Sequence, residues 1–181
     1  EWYTYLQGHH PYEDYSKGYA ARNALGGGVL LGLIHEIDVI YSFFGVPEKI
    51  AAVGGKLSNL KMTAEDTVHA LLTFRQQKKP LPVSLQLSYA GTHERREWKL
   101  YFTDRTIHVN LTENTFAEYD ISGKRITFKH SKHERNQLFI DELNHFFSCI
   151  KAKKNTNIPI TIKKKKKKIE IKKKKKKSTK V

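Results

Sequence analysis

The strongest hydrophobic pattern in the chain runs from Val29 to Phe44, where apolar residues fill most positions. This segment is too short, and too polar at its centre, to span a membrane, so it predicts a core helix. Gly45 and Pro47 supply the expected stop, a glycine just past the last apolar residue with a proline close behind. The ionisable residues that interrupt the apolar pattern are His35, Glu36 and Asp38.

A continuous helix would place Gly28, Gly32, His35, Asp38 and Ser42 on one strip of its surface, because successive residues turn by about 100°. The two glycines leave that strip without large side chains, so another backbone or a ligand can approach it closely. Two interpretations of the histidine follow. It is either a core residue bonded to a neighbouring carboxylate or a functional group beside a ligand.

Alternating apolar and polar residues in the middle of the chain predict strands with one face on a core. Turn residues at Gln77–Pro80 and Ser122–Lys124 predict tight connections. A second helix is predicted from about His133 to Ala152, with an apolar stripe along one side. The predicted strands cover 67–74, 82–89, 98–102 and 106–111, and the stripe consists of Leu138, Leu143, Phe146, Phe147 and Ile150.

These elements predict an α+β fold, an open and mostly antiparallel β-sheet with helices packed on one face. We expect one domain over residues 1–160, followed by a C-terminal helix or tail over residues 161–181. The only cysteine, Cys149, falls in the second helix and is expected to be a small buried residue. A single cysteine favours a protein without disulfides, in the cytoplasm.

The formal net charge of +15 comes mainly from two lysine runs, at 163–168 and 172–177, which leave +3 for the rest of the chain. A real polybasic tail would indicate a polyanion as partner. Interleaved aromatics, zinc-ligand spacing and nucleic-acid motifs are missing from the sequence, so we expect no nucleic-acid partner. We interpret the runs as placeholders for residues whose identity was never established, and expect a packed helix there, where true oligolysine would bury unpaired charge.

Several segments, in their order, resemble the C-terminal domain of the Gfo/Idh/MocA family of NAD(P)-dependent sugar and nucleotide-sugar oxidoreductases, most of all members associated with surface-polysaccharide synthesis. The resemblance implies the open-sheet fold of that domain, which is ferredoxin-like and similar to the C-terminal domain of glyceraldehyde-3-phosphate dehydrogenase. The segments are Tyr19–Asp38 with its three glycines, His10–Tyr15, Glu65–Thr67, Leu87–Tyr89 and Glu134–Phe139.

The resemblance implies that His35 acts as general acid and base at the reacting hydroxyl of a sugar. Many family members carry an aspartate shortly before this histidine, and Gly32 holds that position here. Glu36 or Asp38 would then have to orient the imidazole. No metal site is expected. The residues expected to contact substrate are His10, Tyr12, Tyr19, Arg22, Gly28 and Gly32.

The family's Rossmann domain, with its glycine fingerprint and Glu-Lys-Pro motif, has no counterpart in this sequence. The glycines at 26–28 lack the preceding strand that such a fingerprint needs. Since the only methionine is Met62, we expect a fragment that is not catalytically competent alone. NAD or NADP would bind the full-length parent and not this fragment.

The expected partners are a sugar or nucleotide sugar and further copies of the chain, which would meet through the polar face of the sheet. No membrane contact is expected. The rival interpretation is a non-catalytic binding or scaffold module of the same fold, in which His35 is structural.

Overall fold

A computed structural model describes residues 1–9, 11–131 and 135–156 of the 181-residue chain. The chain divides into two compact units, residues 1–132 and residues 133–181. The domain boundary expected at 160/161 lies outside the described residues and stays a prediction, as do the identity and the helical structure of the two lysine runs.

The first unit is built around one eight-stranded sheet with short helices before and between its strands. Three 3₁₀ turns lie between the first helix and the glycines at 26–28. The strands are β1 (Trp2–Tyr5), β2 (Lys49–Gly55), β3 (Thr67–Gln76), β4 (Lys79–Ser88), β5 (Ala90–Tyr101), β6 (Arg105–Asn110), β7 (Thr115–Asp120) and β8 (Arg125–His130), and the helices are α1 (Leu6–His9), α2 (Val29–Gly32) and α3 (His35–Phe44).

The strand order is β2-β3-β4-β1-β5-β6-β7-β8, and every pair is antiparallel except β1 with β4. The short strand β1 therefore lies between β4 and β5, with Trp2 opposite Leu87 on one side and opposite Arg96 on the other. Tyr89 connects β4 to β5 across the end of β1, where its carbonyl accepts a hydrogen bond of 3.1 Å from the Leu6 amide. The open, mostly antiparallel sheet is the fold that the sequence predicts.

The hydrophobic core lies on the face of β3 and β4 that carries α2 and α3. Alternate residues of these strands point into it, as period-2 patterning requires. The aromatic rings of Phe44 and Phe74 join the end of α3 to β3, with their centroids 5.3 Å apart. The buried core side chains of these elements are Val29, Leu33, Val68, Leu72, Phe74, Leu85 and Leu87, and Leu30, Ile37, Ile40 and Phe44 pack against them.

The prediction of a single helix from Val29 to Phe44 is wrong in one respect, because the helix is interrupted at Leu33 and Ile34. The first piece is one turn that ends at Gly32, and the second begins at His35. Glycine lowers helix stability by about 1 kcal/mol relative to alanine, and the side chain of Leu33 is buried in the core. The strip that a continuous helix would form is therefore interrupted.

The four predicted strands are confirmed within β3, β4, β5 and β6, and both predicted tight turns connect strands. Gln77 and Lys78 have φ of 48° and 67° and join β3 to β4, while Gly123 has φ of 79° and joins β7 to β8.

The described part of the second unit is one helix, α4 (Arg135–Ala152), which confirms the second predicted helix. Cys149 is buried, as expected, with its Sγ 3.6 Å from His145 Nε2. Among the described residues, no helix is both long enough and apolar enough to cross a membrane.

Candidate functional site

The three consecutive glycines form a turn that only glycine adopts without strain. Gly26 and Gly28 have φ of 76° and 115°, a region that side chains disfavour. The turn is closed by hydrogen bonds from the Gly27 amide to the Arg22 carbonyl at 3.0 Å and from the Gly28 amide to the Ala20 carbonyl at 2.9 Å. A Cβ on Gly27 would meet the backbone carbonyl groups of Tyr19 and Ala20. Backbone conformation and close contacts therefore account for all three glycines.

The carboxylate of Glu65 lies directly against Gly28 and leaves no room for a side chain there. It accepts a hydrogen bond of 3.3 Å from the Leu30 amide, and the Glu65 carbonyl accepts one of 2.9 Å from the Val29 amide. Both amides belong to the first turn of α2, whose N–H groups have no partner inside the helix. Glu65 thus satisfies the first two backbone N–H groups of α2, so these groups are not free to bind a ligand.

The buried hydroxyl of Tyr89 fills the space beside Gly32, where a Cβ would overlap it. This hydroxyl donates a hydrogen bond of 3.4 Å to the Gly28 carbonyl. From the sequence, Gly28 and Gly32 were expected to leave room for a ligand. That expectation is wrong, because carboxylate and phenol groups of this chain occupy the space.

Tyr89 also organises the surroundings of the glycine turn. Burial raises the pKa of Tyr89 to about 12, with the neighbouring Tyr19 and Glu65 acting in the same direction, so the hydroxyl stays protonated at neutral pH. The ring makes an edge contact with His9 at 6.2 Å between centroids, and a ring nitrogen of His9 lies 2.9 Å from Thr4 Oγ1.

His35 is exposed at the first position of α3. Its ring stacks on the indole of Trp2, with a centroid separation of 6.3 Å and an interplanar angle of 29°. Within the described residues, neither imidazole nitrogen has a hydrogen-bond partner. The interpretation of His35 as a core histidine bonded to a neighbouring carboxylate is therefore wrong, and both nitrogens are available to a bound molecule.

Glu36, the next residue, is buried, with a side-chain exposure of 3%. One carboxylate oxygen accepts a hydrogen bond of 2.6 Å from Arg96 Nε, and the other accepts one from Trp98 Nε1. Arg96 also lies over the Trp2 ring at 4.2 Å from its centroid. The expected role of Glu36 in orienting His35 is contradicted, since both of its oxygens bind β5 instead.

The other residues expected at the site lie on the surface. Tyr12 is fully exposed, Tyr19 is 63% exposed, and Arg22 and Asp38 are also exposed. His10 falls outside the described residues. Among the described residues, Tyr19 lies beside the glycine turn and His35 lies beside Trp2, but no single pocket joins all the expected residues.

Four side chains of the site escaped the sequence analysis: Trp2, Glu65, Arg96 and Trp98. A glutamate in the Glu65–Thr67 segment was noted only as part of the resemblance. The others bond to residues about sixty positions or more away in the chain, or lie in a four-residue strand too short to show a period.

Neither a metal site nor a dinucleotide site is formed by the described residues. No group of three His, Cys, Asp or Glu side chains is arranged to hold a metal ion there. The glycine turn follows a 3₁₀ turn, Asn23–Leu25, and precedes a helix of only four residues. A dinucleotide pyrophosphate needs a strand before the glycines and the free N-terminus of a longer helix behind them, so the turn does not fit NAD(P).

The family profile described as GFO/IDH/MocA C-terminal domain matches residues 3–114, more than half of the chain. The chain belongs to this family. No curated protein matches it. This Gfo/Idh/MocA domain is also similar in fold to UDP-N-acetylglucosamine 3-dehydrogenase GnnA from Acidithiobacillus ferrooxidans, solved in two crystal forms.

The similarity to GnnA has a TM-score of 0.62 in one crystal form and 0.59 in the other, at 17% sequence identity. It covers 86% of this chain but 44% of GnnA. The chain therefore spans less than half the length of that enzyme, and a similarity at this identity establishes the fold alone.

Proposed function

We propose that this chain is the substrate-binding and oligomerisation half of an NAD(P)-dependent oxidoreductase that acts on a sugar or nucleotide sugar. The observation that carries the proposal is the exposed imidazole of His35, which stacks on Trp2 and has both nitrogens free of protein partners among the described residues. Membership of the Gfo/Idh/MocA family supports an oxidoreductase.

In the proposed reaction, His35 exchanges a proton with the hydroxyl at the carbon that is oxidised or reduced. Histidine suits this role because its ordinary pKa, about 6.5, lies near neutrality. When bound elsewhere in the full-length protein, the nicotinamide supplies hydride transfer. The contribution of this chain is to hold the sugar hydroxyl against an imidazole whose plane is fixed by the indole of Trp2.

The proposed substrate contacts come from exposed side chains of the segment that precedes the glycine turn in the chain. Tyr12 and Tyr19 present rings on which a sugar can pack, and the guanidinium of Arg22 suits two-point binding of a phosphate or carboxylate. We include His10 as a further candidate contact, and Asp38 as the carboxylate that would orient His35. A nucleotide sugar offers both a sugar ring and phosphates, which this mixture of aromatic and cationic groups would recognise.

The sheet face opposite the core is the proposed surface between subunits. Tyr3 donates a hydrogen bond of 2.6 Å to Gln86 Oε1 on this face, and His69 Nε2 lies 3.5 Å from the same hydroxyl. Arg95 covers the Tyr3 ring at 5.2 Å from its centroid. A surface of aromatic, amide and guanidinium groups is typical of moderately polar protein interfaces. We further infer a cytoplasmic location, supported by the single unpaired cysteine, Cys149.

The proposal is tested by His35→Ala in the full-length parent enzyme. We expect turnover to fall by about 10²–10⁴-fold, the usual contribution of a positioned acid or base, with an unchanged unfolding midpoint because the imidazole is exposed. His93→Ala is the matched control, since His93 is a second exposed histidine of the same unit. Wild-type turnover in His35→Ala would overturn the catalytic role and favour a non-catalytic binding or scaffold module.

A further inference from the structure

Strand β2 is an edge strand of the described sheet, and beyond its first residue, Lys49, it carries none of the usual protection of such edges. It pairs with β3 on one side only. Residues 50–55 contain neither a charged residue nor a proline. Unpaired edges in natural sheets are normally protected by lysines, prolines, bulges or a covering segment, whereas alternate residues of this segment present unprotected N–H and C=O groups at the free edge.

The opposite edge, β8, shows the contrast within the same sheet. Arg125, Lys129 and His130 give it three basic side chains in six residues. Its pairing with β7 also shifts register between Glu118 and Tyr119. A charged and irregular edge resists strand addition. One edge of this sheet is therefore protected against pairing and the other is not.

Both faces of β2 are uncovered as well. Ile50, on the core side, is 64% exposed, and Val53, on the other side, is 77% exposed. Ile50 and Ala52 also line an apolar cavity of about 300 Å³ between β2, β3 and α3. A strand that leaves its apolar residues exposed on both faces, besides an open edge, is incomplete without a further strand beside it.

We propose that β2 pairs antiparallel with β2 of a second copy of the chain, across a two-fold axis at Ala52. An isologous contact needs only one self-complementary surface, and this register makes β2 complementary to itself. Ile50 lies opposite Gly54 and Ala51 lies opposite Val53, so each branched side chain faces a small residue. The two sheets then join into one continuous sheet.

The charges that flank β2 also match in this register. Glu48 of one copy lies opposite Lys56 of the other, and the pair occurs twice because of the symmetry. The Arg75 guanidinium already holds the Glu48 carboxylate at 2.7 Å and lowers the pKa of Glu48, so that carboxylate is ionised at neutral pH. Lys49 faces Gly55 and meets no like charge. Shifting the register would lose both Glu48–Lys56 pairs.

Cysteine cross-linking tests the register in the full 181-residue chain with Cys149→Ala as background. Ala52→Cys places two cysteines opposite each other on the axis, and the Cα separation of directly opposed residues, about 4.5–5.5 Å, permits a disulfide. We expect a reducible covalent dimer under mild oxidation. Thr127→Cys, in the middle of β8, is the matched control and should stay monomeric on a non-reducing gel.

The off-axis positions give a second, independent readout. Ala51→Cys alone should cross-link poorly, whereas a mixture of Ala51→Cys and Val53→Cys chains should give the mixed dimer. In the background without new cysteines, Ala52→Lys should lower the association constant measured by sedimentation, because the two-fold axis then places two lysines directly opposite each other.

If the Ala52→Cys chain is a dimer by sedimentation but forms no disulfide under oxidation, the edge proposal is overturned and contact through the sheet face alone is favoured. A monomer at all accessible concentrations would also overturn it, and so would cross-linking of Thr127→Cys as efficient as that of Ala52→Cys. None of these results depends on the turnover measured for His35→Ala, so the edge proposal and the catalytic role of His35 fail separately.

Discussion

His35 and Glu36 are neighbours in the chain but meet opposite environments. The imidazole is exposed and stacks on Trp2, while the carboxylate is buried and bound by Arg96 and Trp98. The carboxylate thereby joins the first turn of α3 to β5. We infer that Glu36 holds the first turn of α3 against β5 and thereby determines the position of His35.

Replacing Glu36 by glutamine should destabilise the protein by about 1.5–3 kcal/mol, the range for hydrogen bonds to charged groups, because Arg96 would lose its counter-charge in a largely buried position. Urea unfolding measures the change. Asp104→Asn is the control, since Asp104 also pairs with an arginine, Arg105, but its side chain is 63% exposed, and exposed pairs add little. Equal losses in both variants would contradict the assignment.

At the scale of residues, the sequence identified the correct segment but not the correct environments. The pattern around His35 and Glu36 indicated charges in an apolar helix, which suggested that the two bond to each other. Their actual partners, Trp2, Arg96 and Trp98, come from β1 and β5. Contacts between residues so far apart in the chain leave no local pattern, so these partners could not be predicted.

Among the elements, the connection between β2 and β3 is held by the buried carboxylate of Asp66. It accepts hydrogen bonds of 3.0 Å from the Leu57 and Ser58 amides and of 2.7 Å from Ser58 Oγ. Burial alone would raise the pKa of Asp66, but the hydrogen bonds outweigh it and lower the pKa. The ionised form is therefore the one that the folded protein prefers.

This preference predicts how stability depends on pH. The contribution of Asp66 should be complete above its unfolded pKa of about 3.9 and should be lost as the pH falls through the lower folded value, since the unfolded state then binds the proton first. Asp66→Asn should reduce stability at pH 7 and weaken this acid dependence. Urea midpoints between pH 7 and pH 3 measure it, with exposed Glu113→Gln as control. An unchanged acid dependence in Asp66→Asn would refute this role.

At the scale of elements, a strand could be predicted from the sequence only where its apolar and polar residues alternate clearly. The four predicted strands, in β3, β4, β5 and β6, have one face on apolar residues, so their alternation is visible. Strand β1 has four residues and β2 has two exposed faces, so neither shows a clear period. The helix breaks at Leu33 and Ile34, where Leu33 turns into the core, and the apolar pattern of the segment does not reveal this.

For the whole molecule, we predict that the 181-residue chain has no measurable affinity for NADH or NADPH. The described residues contain no strand leading into the glycine turn, and Glu65 occupies the start of the helix behind it. Calorimetric titration of the chain, with the full-length parent as positive control, measures the binding. A micromolar dissociation constant for the chain alone would show that a dinucleotide site exists within it.

The insertion of β1 between β4 and β5 has a kinetic consequence. The antiparallel runs β2–β4 and β5–β8 each join neighbouring segments of the chain, so their loops close at small entropic cost. Trp2 and Tyr3 instead pair with residues more than eighty positions later. We therefore expect β1 to pair late in folding, after the β2–β4 and β5–β8 ladders have formed, and to join them. Substitutions in it should accelerate unfolding while leaving the refolding rate nearly unchanged.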